Sequence, residues 1–251
     1  MKILSLANFK GGIGKTTTAR TLGDILSKDY RVLMVDLDPQ ASLTLSCGKA
    51  GITPNLVNVF SMTNRMNIDK VIQPISENLY LAPGALDLAI TELELISRMG
   101  REQLLLQALQ TVKKLFDIVL CDCPPSLSLL TINALAASNA VLIPVKPEPL
   151  DVAALRLFLG SIDDVREQLN PKLDILGILP TFYDDRLNIH KDGIAAMTAA
   201  KWPVLPYKIT RSVRVSEAPA LGESIITFEP GNKVAGQYKE LAGGIEKWLK
   251  S

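Results

Sequence analysis

Short apolar runs alternate with longer amphipathic ones along nearly the whole chain. Seven short runs read as strands: 2–8, 31–36, 79–82, 116–122, 140–145, 174–180 and 203–207. Those at 31–36, 116–122 and 140–145 are almost continuously apolar, as expected of parallel strands covered by helices on both faces. Between the strands, apolar residues recur at helical spacing over 15–28, 86–98, 101–115, 128–138, 151–169, 188–200 and 234–250. This alternation predicts a single α/β domain over residues 1–251. Its core is a doubly wound, mostly parallel sheet with helices on both faces and ligand sites at the carboxyl ends of the strands. There is no internal repeat, low-complexity tract or linker. Residues 49–78, rich in Asn, Met and Gly, break the rhythm and predict a rim segment that serves as a partner or dimer surface.

Composition excludes more than it specifies. The formal net charge is +1, so attraction to DNA or an anionic membrane must come from a local patch. Aromatic residues make up 5%, which argues against a base-stacking surface of the RNA-recognition kind. Cys121 and Cys123 are too close for a zinc knuckle and have no second pair; with Cys47 they read as small buried hydrophobes of a reducing compartment. His190 is the only histidine and has no partner in ligand spacing, so it is not read as a metal ligand. No apolar run reaches the roughly 18 residues of a membrane span. Lys2 leads directly into the first strand, which predicts no secretory leader and a cytoplasmic location.

The candidate chemistry lies just after three strands. Residues Lys10-Gly11-Gly12-Ile13-Gly14-Lys15-Thr16-Thr17 separate the first strand from a helix, the arrangement that aims a helix N-terminus at an anion. Gly14, Lys15 and Thr16 fit the phosphate-loop pattern G-x-x-x-x-G-K-[ST], although Phe9 occupies the leading glycine position. Residues 11–17 are thus the candidate nucleotide cradle, with Lys15 neutralising the terminal phosphates. A second lysine, Lys10, is free to reach a nucleotide held by a facing subunit. After the second strand, Asp36 and Asp38 stand two residues apart and are expected to point the same way, one helping to hold Mg²⁺ and the other orienting the attacking water. The third run, Phe116 to Asp122, is a hydrophobic strand ending in aspartate. Asp122 there would hold Mg²⁺ through water opposite the Thr16 hydroxyl, and Pro124-Pro125 would stiffen the loop that follows.

K-G-G-x-G-K-T resembles the deviant Walker A motif of the ParA/MinD family of P-loop NTPases. Asp36-Leu37-Asp38-Pro39-Gln40, Ser126 to Leu135 and Ile209 to Pro219 resemble its Soj-like branch, and the likeness runs through essentially the whole chain. The resemblance implies an ATPase that binds ATP and Mg²⁺ and closes into a homodimer, with Lys10 crossing the interface and Asp38 essential for hydrolysis. Asp36 would be a supporting contact to Mg²⁺ or the phosphate loop. It also implies a nonspecific double-stranded DNA surface, completed in the ATP dimer and including Arg211 and Arg214, hence association with the nucleoid. A cargo-bound protein would stimulate hydrolysis; the cargo (plasmid, chromosome origin or carboxysome) stays open. Without an arginine finger, intrinsic turnover is expected near 10⁻³–10⁻² s⁻¹ in order of magnitude.

Two departures and three rivals complete this reading, the third rival being a biosynthetic P-loop ligase, which would need a small-substrate pocket that the sequence does not identify. Thr210 and Ser212 stand where the family pattern has proline and asparagine, which touches the contacts to the nucleotide base. A phosphate loop this early leaves no room for a preceding helix-turn-helix domain, so the chain resembles the compact members. A MinD-like membrane-surface ATPase would use the C-terminal helix, but its stripe (Val234, Ala235, Tyr238, Leu241, Ala242, Ile245, Trp248, Leu249) reads as core packing. A metal-cluster carrier would need a second cysteine downstream of Cys123, and there is none.

Overall fold

The computed structural model describes residues 1–251. Its strands are Lys2–Leu6 (β1), Val32–Asp36 (β2), Gln73–Pro74 (β3), Leu79–Ala82 (β4), Ile118–Asp122 (β5), Ala140–Val145 (β6) and Asp174–Pro180 (β7). They form one sheet in the order β3-β4-β2-β5-β1-β6-β7, parallel except for β3. The helices are Lys15–Leu26 (α1), Ser42–Ser46 (α2), Leu56–Phe60 (α3), Leu88–Glu94 (α4), Leu104–Thr111 (α5) and Leu129–Ala137 (α6). They continue with Pro149–Gln168 (α7), Asn188–Ala199 (α8), Val213–Glu217 (α9), Ile225–Phe228 (α10) and Lys233–Lys250 (α11).

Apolar residues on both faces of the strands build two cores. Leu33 and Val35 of β2 and Val119 and Cys121 of β5 face one layer; Val32, Met34, Ile118 and Leu120 face the other. Period-two alternation with every position buried is what a sheet covered on both sides requires. The second layer includes Val234, Ala235, Tyr238, Leu241, Ala242 and Ile245 of α11, so that stripe is core packing. All three cysteines are free and buried. No helix is long and apolar enough to cross a membrane.

Register positions the site. Leu6 of β1 and Asp36 of β2 both pair with Asp122 of β5, so three strands end level and their following loops converge. β6 lies on the other side of β1, making this a point where connections diverge and a crevice opens.

Several expected elements differ. The strand expected at 203–207 is a single bridge between Val204 and Ile178; Pro203 and Pro206 lack the N–H groups a ladder needs. The helix expected over 86–98 ends at Glu94 and continues as one 3₁₀ turn, Leu95–Ser97. That expected over 101–115 starts as a 3₁₀ turn and stops at Thr111. The irregular 49–78 segment contains α3 and β3, with Asn55 capping α3 through the Val57 N–H.

Candidate functional site

The phosphate loop is shaped by glycine. Gly12 and Gly14 have φ of 69° and 90°, in the left-handed region where a Cβ is strained, and Gly14 is the N-cap of α1. No side chain caps this helix, so its first free N–H groups face the cavity. Ile13 is buried, and its carbonyl accepts a hydrogen bond of 2.9 Å from the Thr181 hydroxyl, which ties the loop to the end of β7. The loop lines a cavity of about 430 Å³ together with Lys15, Thr16, Thr17, Asp38, Gln40 and Pro125.

Lys15 is folded back onto its own loop. Its ammonium donates to the carbonyls of Lys10 (2.7 Å) and Asn8 (3.3 Å). Burial lowers its pKa, against the opposing charges of Asp122, Cys123 and Asp38. Asn8 braces the loop further: its amide donates to Pro144 O, and its Oδ1 accepts from Lys10 N–H. Lys10 itself points elsewhere. Its Nζ lies 2.8 Å from Asp151 Oδ1 of the same chain, in the first turn of α7, as a charge pair without hydrogen-bond alignment.

The two aspartates after β2 do not point the same way. Asp36 is fully buried: its Oδ2 accepts from both the backbone N–H (2.7 Å) and the hydroxyl (2.6 Å) of Thr44, and its Oδ1 accepts from Asp38 N–H (3.3 Å). Thr44 Oγ1 in turn accepts from Gly84 N–H. Asp36 is a brace whose oxygens are already engaged, so the geometry does not offer it to a metal as the sequence suggested. Burial pushes its pKa up to about 6, against the Thr44 hydrogen bonds. Asp38 alone reaches the cavity, where its Oδ1 accepts from Gln40 N–H (2.9 Å).

Asp122 is the opposite case. Both of its carboxylate oxygens are buried without a protein hydrogen-bond partner. Burial raises its pKa well above the ordinary value, and the Asp36 charge adds to this; Thr16 and Lys15 pull the other way without cancelling it. A buried carboxyl group whose oxygens lack a hydrogen-bond partner, beside a threonine hydroxyl, suits a hard divalent cation with oxygen ligands, whose charge would favour the ionised form. Thr16 and Asp122 therefore fit Mg²⁺.

The two arginines separate. Arg214 pairs with Glu217 at 2.8 Å and Glu229 at 3.5 Å, a local structural network. Arg211 is exposed and lines a bowl beside Gly12 together with Lys146, Glu148 and His190. His190 is buried, and its Nδ1 accepts from Asp184 N–H at 3.0 Å. Asn8, Thr44, Asp151 and Thr181 had no motif to announce them, since each acts through a contact distant in sequence.

A family model described as an AAA domain matches residues 1–175. The sporulation initiation inhibitor protein Soj of Bacillus subtilis is 40% identical over 248 residues, covering 96% of this chain and 96% of its own. The chromosome partitioning protein ParA of Myxococcus xanthus is 36% identical over 251 residues, 98% of this chain and 88% of its own. Among solved structures, cobyrinic acid a,c-diamide synthase of Mycobacterium smegmatis, with bound ATP analog and magnesium, has a TM-score of 0.90 at 34% identity, covering 100% of this chain and 96% of that one. The Pyrococcus furiosus cell division ATPase MinD has a TM-score of 0.82 at 25% identity, covering 98% of each chain.

Proposed function

The chain belongs to the ParA/MinD family of ATPases, and on that premise we propose that it is a dimerising, DNA-associated positioning ATPase. ATP binds the 11–17 loop, two copies close face to face, and slow hydrolysis reopens them. The observation that carries the reading is the orphaned Asp122 carboxylate beneath the free amides of α1, one strand away from a cavity-facing Asp38.

The chain's own groups have separable roles. The α1 amides and the glycine loop hold the phosphates by backbone donation. Lys15 exchanges its bonds to the Lys10 and Asn8 carbonyls for phosphate oxygens, a short swing that leaves its charge buried and paired. Thr16 and Asp122 would hold Mg²⁺, which when bound would supply neutralising charge for the phosphates. Asp38 accepts a hydrogen bond from the attacking water and fixes its line of approach. Lys10 leaves Asp151 and places its charge on the nucleotide of the facing subunit.

In the closed dimer, exposed Arg211 contributes to a nonspecific DNA surface; Arg214 joins it only by giving up Glu217 and Glu229. A cargo-bound protein stimulates hydrolysis and releases the dimer from the nucleoid. The test is binding to random-sequence duplex with Mg²⁺ and ATP or ADP over a salt series. Binding that requires ATP and falls steeply with salt supports the reading through counterion release. Binding in neither state, including with Asp38→Ala, overturns the DNA scaffold and favours anionic liposomes as the next surface to assay.

A further inference from the structure

Gly12 and Phe182 wall two cavities. One is the nucleotide site; the other is the bowl, of about 350 Å³, that also takes in Lys146, Glu148, His190 and Arg211. The bowl lies where the loops after β6 and β7 meet, at the carboxyl ends of two neighbouring strands. The roles proposed for nucleotide binding and hydrolysis leave its ionisable side chains unused.

His190 brings an unused donor to the bowl. The residue is 2% exposed, and its Nε2 is buried without a hydrogen-bond partner. Nδ1 accepts the Asp184 N–H at 3.0 Å, so the ring hydrogen is on Nε2. A nitrogen that carries a hydrogen calls for an acceptor rather than a metal. Glu148 Oε1 is 3.7 Å away, beyond hydrogen-bond reach. The Tyr183 ring packs against the imidazole with centroids 5.9 Å apart, which helps to hold its orientation.

The surrounding charges favour an anion. Lys146 Nζ is 2.7 Å from the same Glu148 Oε1, and Arg186 holds the Asp184 carboxylate at 2.7 Å, so both acidic groups of the wall are already neutralised. Arg211 is exposed and forms no ion pair within the chain, which leaves one positive charge uncompensated. Glu148 Oε1 thus stands where an anionic oxygen belongs, touching Lys146 but falling short of His190. Its carboxylate is tethered at the N-cap of α7 and does not satisfy both donors; an untethered tetrahedral anion has the oxygens to do so. The Lys146 and Glu148 side chains are 38% and 36% exposed, so exchanging their pair costs little.

We infer that the bowl is a binding site for a phosphate group, which displaces Glu148, takes Lys146 and the His190 Nε2–H as donors, and is closed over by Arg211. Free inorganic phosphate and the phosphate of a second nucleotide share this chemistry. The binding claim rests on the bowl alone; one consequence rests on the ATPase reading. Because Gly12 and Phe182 wall both cavities, an anion in the bowl and a nucleotide on the 11–17 loop repel, and each weakens the other by the same factor. Phosphate produced by hydrolysis then helps ADP to leave.

His190 is the only histidine, so its ring gives a single pair of ¹⁵N signals. Inorganic phosphate is titrated into the full chain saturated with Mg²⁺ and ADP, against sodium chloride at equal ionic strength. Nε2 should shift saturably with phosphate and not with chloride. Broadening of the ³¹P line of phosphate then ranks the variants. Glu148→Gln, which removes the resident anion, should tighten phosphate roughly two- to fivefold. Arg211→Gln, at an exposed position, should weaken it by a similar factor. His190→Asn, whose Oδ1 can still accept the Asp184 N–H, should weaken it about tenfold. Phosphate should lower ADP affinity severalfold in the native chain and not in His190→Asn. Equal shifts with chloride overturn the site. So does phosphate binding unchanged in both Arg211→Gln and His190→Asn, which assigns the ion to the phosphate loop. Looser binding in Glu148→Gln refutes the exchange. If ADP added beyond saturation shifts Nε2 at lower concentration than phosphate does, the source is a second nucleotide and free phosphate is ruled out. ADP affinity indifferent to phosphate removes the coupling alone. Absence of any ADP binding would instead count against the ATPase reading, and a titration without nucleotide would still decide the bowl.

Discussion

Asp151→Asn should strengthen ATP-dependent dimerisation. Lys10, the lysine assigned to the facing subunit, is engaged within its own chain at 2.8 Å from an Asp151 carboxylate that is only 5% exposed. Two unit charges at that distance attract by ~1.5 kcal/mol even at the dielectric of water. Lys10 is 41% exposed, so screening and lost side-chain entropy reduce the net value to about 0.5–1 kcal/mol. A symmetric dimer breaks two such pairs, and removing both should tighten association by about 1–2 kcal/mol, roughly 5- to 30-fold. Asparagine keeps the shape of the side chain and deletes the charge. Sedimentation velocity with a non-hydrolysed ATP analogue reads the dimer constant, and the advantage should shrink as salt rises. A melting curve is the control, because an acidic residue in the first turn of α7 also favours the helix dipole by ~0.3–1 kcal/mol. If Asp151→Asn dimerises no better than the native chain while melting normally, the in-chain pair does not compete with dimerisation and the reasoning fails.

Lys10→Ala should keep nucleotide binding by the monomer and lose the dimer, read by a fluorescent ATP analogue alongside sedimentation. Asp38→Ala should keep the ATP dimer and lose turnover; hydrolysis at the native rate would remove Asp38 from its assigned role. Asp122→Asn should abolish Mg²⁺-dependent hydrolysis yet stabilise the nucleotide-free protein by ~1–2 kcal/mol at pH 8 in chelator, since an orphaned buried charge is lost. Asp122 and Asp36 are both held above the ordinary carboxylate range, the latter at about 6, so the native state binds these protons more tightly than the unfolded chain. Their contribution is therefore fully present below the unfolded carboxylate value and lost as pH rises through each raised folded value, so urea midpoints should show little advantage of the variant at acid pH and a growing one as pH rises. Thr44→Val removes the hydroxyl that joins Asp36 to Gly84 N–H and should cost ~2–3 kcal/mol by urea melt, with slower turnover.

What was legible in the sequence was whatever follows from local pattern. The buried parallel strands announce themselves as unbroken apolar runs, and the limits of β4, β6 and β7 agree with the strand readings. The glycine loop is legible because its backbone requirement is written in residue type. Roles set by distant partners were not. Asp36 and Asp38 look equivalent as letters, but Thr44 and Gly84 claim the first and leave the second in the cavity. Arg214 looks free until Glu217 and Glu229 fold beside it, and Lys10 looks aimed outward until Asp151 meets it. The short helices α2, α9 and α10 also escaped notice, because four or five residues carry too little periodicity to register.

The two margins of the sheet constrain how copies of this protein can associate. On one side β3 is two residues long, runs antiparallel and ends in Pro74, so it offers almost no ladder to a newcomer. On the other, the Pro203–Leu205 segment lies along β7: Ile178 N–H donates to Pro203 O, and Leu205 N–H donates to Ile178 O. Gly177 leaves the space that Leu205 occupies there, since a Cβ would come within 2.4 Å of it. Neither margin exposes a run of free backbone groups. Copies of this protein can therefore crowd together without zipping edge to edge into fibrils, and any assembly they form must grow through side-chain contacts.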